Sequence, residues 1–204
     1  MNRRTCPMLW AAVWLVGASL SHASPTTDRA PQVPESLKVP AGNQAIFHAR
    51  ATGVQIYVCN PVATDQTQFA WSFKAPEAKL LDARGKVVGS HYAGPTWESA
   101  KGSKVVGAML QNAPAPDPEA IPWLLLQAKS TTGPGLFDRV TFVQRVSTGG
   151  GKAPTTGCDA ANVGHEVRVP YTAEYFFYRG TTAAPRVTAR EPSSSRRRSS
   201  GRRS

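Results

Sequence analysis

The sequence predicts an all-β fold: one single-domain antiparallel β-sandwich or barrel over residues 34–180, closed by one long-range disulfide. Three observations carry this. Between Pro34 and Arg179 apolar residues recur with period two more often than 3.6. Turn signals punctuate the chain at roughly ten-residue spacing. No window holds an uninterrupted helical stripe of about 12 residues. Length and composition agree, since 204 residues with 41% apolar content suit one ordinary domain and exclude wholesale disorder or a multi-span membrane protein. Gly and Pro, 17 of each, favour turns and short strands over long helices.

Taken in order, the first strand is Gly53–Asn60, where Val54, Ile56 and Val58 point one way and Gln55, Tyr57 and Cys59 the other. Phe69, Trp71 and Phe73 repeat the alternation, and Lys86–Tyr92 and Lys104–Leu110 continue it. Trp123–Gln127 is a continuous apolar run suited to a strand buried on both faces. Along Val140–Val146, Val140, Phe142 and Val146 share a face, with Arg139, Thr141 and Arg145 opposite. Tyr171–Tyr178 ends the domain with Tyr175 and Phe177 on one side and Phe176 and Tyr178 on the other. Arg84-Gly85, Gly94-Pro95, Lys101-Gly102, Pro114 to Pro118, Gly133-Pro134-Gly135 and Gly149-Gly150-Gly151 supply the turns.

The ends read differently. Arg3 and Arg4, an apolar run from Met8 to Leu20 and Ser21-His22-Ala23 describe a signal peptide over residues 1–23, cut after Ala23. The expected location is therefore secreted or periplasmic, with no membrane-spanning segment once the signal is removed. A flexible leader, 24–33, follows. Residues 181–204 form an Arg/Ser-rich tail too poor in large apolar residues to offset chain entropy, so disorder is expected there. Of the 24 basic residues, seven lie beyond Pro185 and two in the signal peptide, which leaves 15 against 12 acidic residues in between. The net charge of +11 thus belongs mostly to the tail. Arg196, Arg197, Arg198, Arg202 and Arg203 are its candidate polyanion-binding residues; on an exported chain the fitting partner is an anionic envelope polymer rather than nucleic acid. Removing Cys6 with the signal leaves Cys59 and Cys158, an even pair that reads as one structural disulfide in an oxidising compartment.

Most known chemistries find no motif. Gly149-Gly150-Gly151-Lys152 has Val146 where a phosphate-binding loop needs its first Gly and Ala153 where it needs Ser or Thr. Gly133-Pro134-Gly135 lacks the third Gly of a dinucleotide site. Gly89-Ser90 and Gly102-Ser103 lack the closing Gly of a serine-nucleophile elbow. His48, His91 and His165 show no metal-ligand spacing, so neither metal nor cofactor is expected. The segment least like scaffolding is the loop 89–98, which gathers His91, Tyr92, Trp97 and Glu98 around a Gly-Pro turn. Aromatics there offer flat apolar surface, and a His/Glu pair can move protons, so this is the candidate ligand loop. The structural alternative is that Trp97 and Tyr92 plug the end of a β-sandwich while Glu98 faces water.

Six blocks in order, H-Y-A-G-P-T-W-E (91–98), Trp123-Leu-Leu-Leu126, V-T-F-V-Q-R-V (140–146), G-G-G-K-A-P (149–154), G-C-D (157–159) and V-P-Y-T-A-E-Y-F-F-Y (169–178), resemble the exported family catalogued as domain of unknown function 3455. The resemblance spans about Val33 to Arg179. It implies pairing of Cys59 with Cys158, and brings no established activity. An Asp often precedes the Gly-Ser after the Trp-Glu block in that family; Lys101 stands there instead, which argues against ion binding at that position. The malate dehydrogenase label of some fungal members does not transfer, because no dinucleotide motif is present.

The sequence therefore favours a non-catalytic binding or structural protein at the cell surface or outside the cell. Two alternatives stand beside it. One is a small hydrolase or carbohydrate-active enzyme using His91, Trp97 and Glu98; the other is polyanion attachment through the tail. Deleting the residues after Pro185 is expected to remove polyanion binding that weakens with added salt, without shifting the melting temperature of the domain. Binding that persists in the truncated chain refutes the tail's role.

Overall fold

The computed structural model describes residues 30–181; the expected signal peptide and the Arg residues of the tail lie outside that range. Eight strands, β1 (Asn43–Val62), β2 (Asp65–Leu81), β3 (Val87–Tyr92), β4 (Thr96–Ser99), β5 (Lys104–Ala113), β6 (Trp123–Thr132), β7 (Val140–Gly150) and β8 (Glu166–Gly180), each pair antiparallel with the next. β8 then returns to β1, pairing from Asn43↔Gly180 to Val58↔Glu166, and the sheet closes into a barrel. Of the two all-β architectures that period-two alternation permits, the barrel forms. Closure leaves no open sheet edge to pair with another chain.

One end of this barrel is plugged by large side chains. Phe137, from the β6–β7 connection, is fully buried and packs on Phe177 with ring centroids 4.6 Å apart and on Phe47 at 6.4 Å. Ser103 Oγ accepts the Phe137 N–H at 3.2 Å and lies 2.8 Å from Ser99 Oγ, so the polar groups of the plug are satisfied. The opposite end, where the β1–β2, β3–β4, β5–β6 and β7–β8 connections lie, is open.

A second apolar layer lies outside the barrel. The segment around the 3-10 turn Glu35–Leu37 crosses it, and Leu37 is completely buried against Ala113 and Leu125. Packing begins at Val33, the last residue of the expected leader. Gln144 fastens this strap by donating to the Leu37 carbonyl at 2.6 Å while accepting from the Tyr178 hydroxyl. The strap explains the two continuous apolar runs. In β6, Leu126 faces the barrel interior and Leu125 the strap; in β8, Tyr175 and Phe177 face inward and Phe176 and Tyr178 outward, the alternation that the sequence predicts.

β7 departs from expectation. Val140 enters the inner core, whereas Phe142 and Val146 join the outer cluster, so the three do not share a face. Val140 pairs with Arg179 and Phe142 with Tyr178, which leaves Thr141 as one extra residue. Such a β-bulge reverses the parity of the strand. Downstream of it Val143 and Arg145 turn inward. The outer surface elsewhere is polar and carries ion pairs such as Arg168–Glu77 at 2.7 Å. An apolar interior with a charged exterior is the inverse of a membrane-spanning barrel. Among the described residues no helix is long and apolar enough to cross a membrane.

The predicted disulfide is present. Cys59 near the end of β1 joins Cys158 in the β7–β8 connection, 99 residues away, with Cα atoms 5.3 Å apart. The same connection is held on the β1–β2 ribbon by the Trp71 indole N–H donating to Thr156 O at 2.9 Å and by Gly164 N–H donating to Cys59 O at 2.9 Å. Replacing both cysteines by Ser is expected to lower the unfolding free energy by about 2–5 kcal/mol in urea titrations. An unchanged midpoint would show that the crosslink does not stabilise the barrel.

Candidate functional site

The segment expected as a ligand loop is a β-hairpin. β3 and β4 pair Ser90 with Glu98, His91 with Trp97 and Tyr92 with Thr96, and only Ala93-Gly94-Pro95 remains as a turn. Strand alternation then divides the four candidate residues into two pairs. His91 and Trp97 point into the barrel, 3% and 1% exposed, with their rings stacked at a 4.5 Å centroid distance. Tyr92 and Glu98 lie on the outer face, where the Tyr92 hydroxyl donates to Glu98 Oε2 at 2.7 Å and Lys104 Nζ sits 3.3 Å from the same oxygen. The Tyr92 hydrogen bond, with Lys104 beside it, holds the Glu98 carboxyl below its usual range. His91 and Glu98 therefore occupy opposite faces of the hairpin and form no proton-transfer pair.

His91 is a buried neutral imidazole. Its Nδ1–H donates to the Thr96 carbonyl at 2.9 Å, which leaves Nε2 as an acceptor. Burial drives its pKa down to about 3; the Thr96 hydrogen bond opposes that shift, and the positive charge of Arg145 adds to it. The indole against which it stacks has its own requirement. A Cβ on Gly107 would stand 3.1 Å from Trp97 Cζ3, a tight approach that glycine avoids where the indole lies across the barrel.

Above this stack the open end of the barrel encloses a cavity of about 540 Å³. Its walls are flat and mostly apolar: Trp97, Tyr175, Tyr57 and Phe73, with Ile121 and Leu124. A bulge at Lys74, where Ile56 pairs with Ala75 but Tyr57 with Phe73, turns Phe73 toward Tyr57, 5.8 Å between centroids. The Tyr57 hydroxyl donates to Gly151 O at 2.6 Å. Gly151 has φ +85, and a Cβ there would meet Tyr171 Cβ at 2.8 Å. The glycine run that superficially resembles a phosphate loop thus serves close passage of the backbone beside the cavity wall.

Besides His91, Asn112 and Lys74, three polar features interrupt the apolar lining. Gln55 is 2% exposed, and its Nε2 has no hydrogen-bond partner. Trp97 Nε1 is likewise buried without a partner. Arg145 reaches the cavity from β7 because of the bulge, and its Nε and Nη2 donate to Pro122 O at 3.2 and 2.9 Å. No carboxylate lines the cavity, and among the described residues none forms an ion pair with Arg145.

The sequence places Gln55 and Tyr57 correctly on one face of β1 but does not mark that face as interior, since the apolar Val54, Ile56 and Val58 point the other way. Arg145 has no signal at all before the bulge is seen. Among the described residues no group of three or more His, Cys, Asp or Glu is placed to hold a metal ion. His48 stacks on Phe176 outside the barrel, 3.7 Å from Glu174, and His165 lies in the β7–β8 connection.

In comparison with known proteins, the family model described as "Protein of unknown function (DUF3455)" matches residues 40–179, and the chain belongs to that family. The match takes in all eight strands but for Gly180 and starts after the strap. No curated protein and no solved structure matches the chain.

The state of His91 has a measurable consequence. The unfolded chain binds a proton at the ordinary imidazole pKa while the folded one does not until about 3, so stability present above 6.5 is lost as pH falls through that window. Between pH 7 and 5 this amounts to about 2 kcal/mol. In His91→Phe the stability profile over that interval is expected to be flatter by that amount; equal slopes would show that the ring is not held neutral.

Proposed function

We propose that this member of the DUF3455 family is an exported, non-catalytic binding protein that holds one small, largely apolar molecule in the open end of its barrel. The observation that carries the reading is the 540 Å³ cavity walled by Trp97, Tyr175, Tyr57 and Phe73. That volume falls within the roughly 300–1,000 Å³ of small-molecule sites, and a few polar groups in an apolar lining is their usual make-up. An eight-stranded barrel is also the size that holds a single small ligand.

Catalysis by the hairpin has less support. A hydrolase needs its His and carboxylate to act on one bond, and here His91 faces the cavity while Glu98 faces outward with Lys104. An imidazole whose pKa lies near 3 is also a poor general base and carries no proton to give as an acid at neutral pH. Export is supported by the Arg3–Ala23 pattern together with the disulfide. The Arg196–Arg203 cluster then serves as a separate electrostatic attachment to anionic envelope polymer.

A neutral fluorescent probe tests the cavity. N-phenyl-1-naphthylamine is expected to bind once per chain with a rise in emission. Leu124→Trp, which fills the cavity from β6, is expected to weaken binding by about tenfold or more, equivalent to ~1.4 kcal/mol. Val163→Trp, on the exposed β7–β8 connection, is expected to leave it unchanged. Binding indifferent to Leu124→Trp would overturn the cavity reading.

A further inference from the structure

The geometry points to a ligand class for this cavity: we infer that it takes a flat, apolar molecule bearing one carboxylate, whose charge is met by Arg145 and whose second oxygen is met by Gln55. The inference rests on the binding reading above and narrows it.

The charge balance of the cavity is the first argument. A guanidinium is a cation with a fork of N–H donors, and beside an apolar space, where screening by water is reduced, it favours an anionic partner. Arg145 lines the cavity, yet the lining contains no acidic residue. The second cation there, Lys74 at the rim, is already paired with Glu166. The protein thus supplies one positive charge without a carboxylate partner to a mostly apolar space.

Donor geometry is the second argument. Arg145 spends two of its N–H groups on Pro122 O, which fixes the plane of the guanidinium, and its remaining edge lies beside the Tyr175 hydroxyl on the cavity wall. Pinning by a backbone carbonyl means that little order remains to be imposed when a ligand arrives. Gln55 Nε2 and Trp97 Nε1 add two buried donors with no acceptor in the protein. A buried donor left unpaired is costly, and such groups in native structures are satisfied by something. Two buried donors without a protein acceptor, beside a guanidinium without a carboxylate partner, favour a ligand that brings acceptor atoms and a negative charge together, which a carboxylate does and an amine does not.

The shape of the walls is the third. Trp97, Tyr57, Phe73 and Tyr175 present rings rather than flexible aliphatic chains, so a planar body stacks on them with little loss. Phe73 and Met109 at the rim remain 55% and 61% exposed, so the apolar surface extends to the entrance.

Displacement of N-phenyl-1-naphthylamine by 2-naphthoate and by 2-naphthamide separates the charge from the shape, because the two competitors share a ring system and differ in ionisation. The wild-type protein is expected to favour the naphthoate by about tenfold or more, as a charge-assisted hydrogen bond implies. Arg145→Gln is expected to abolish that preference by weakening the naphthoate alone, and Arg145→Lys to retain part of it. Equal displacement by both competitors in the wild type, or a preference that survives Arg145→Gln, overturns the carboxylate inference while probe binding leaves the cavity reading standing. Failure of the wild type to bind the probe or either competitor overturns both. The wild-type comparison needs no variant to fold.

Discussion

The pairing of β8 with β1 is the constraint on which everything else in the molecule depends. Closing eight strands fixes the width of the interior, and an interior of that width is filled by side chains or holds one small molecule. This chain does both, at different ends. Phe137, Phe47 and Phe177 fill the plugged half, while the stacked His91 and Trp97 mark where filling stops. Beyond them the strands continue, but the inward positions carry Gln55, Tyr57 and Arg145, whose side chains line space rather than occupy it.

The electrostatics follow from that division. Burial keeps His91 neutral, and the same desolvation raises the hydroxyl pKa values of Tyr57, Tyr171 and Tyr175, so these groups are all uncharged at neutral pH. Arg145 acts on each of them and is compensated by none. Its position comes from one surplus residue, Thr141, upstream on the same strand. A local irregularity of the backbone thereby sets the sign of the potential inside the barrel.

Period-two alternation, turn residues and an even cysteine pair were enough to read an all-β disulfide-closed domain from the sequence, because each depends on neighbours a few residues apart or on composition. The faces of β8 were legible for the same reason. What the sequence does not show is which apolar face is inside when both are covered: the strap over Leu125, Phe176 and Tyr178 makes outward positions as apolar as inward ones. Bulges are equally silent, and the one at Thr141 hides Arg145. Of the candidate site, His91 and Trp97 do line the cavity, drawn out by their aromatic company around a Gly-Pro turn. Tyr92 and Glu98 came with them only because adjacency in sequence conceals the alternation of a strand.

The β1–β8 seam also has a consequence in time. It joins the first strand to the last, so the widest loop of the chain must close before that ladder forms, and folding rates fall as such distant pairings dominate. The intervening hairpins form from local contacts, but until residues 166–180 arrive they leave β1 with an open edge and Trp97 without Tyr175 over it. The Cys59–Cys158 crosslink shortens the remaining search, since it brings β1 to the segment that leads directly into β8. Order of assembly is thereby written into the topology: oxidation of the two cysteines also hastens the step that creates the cavity.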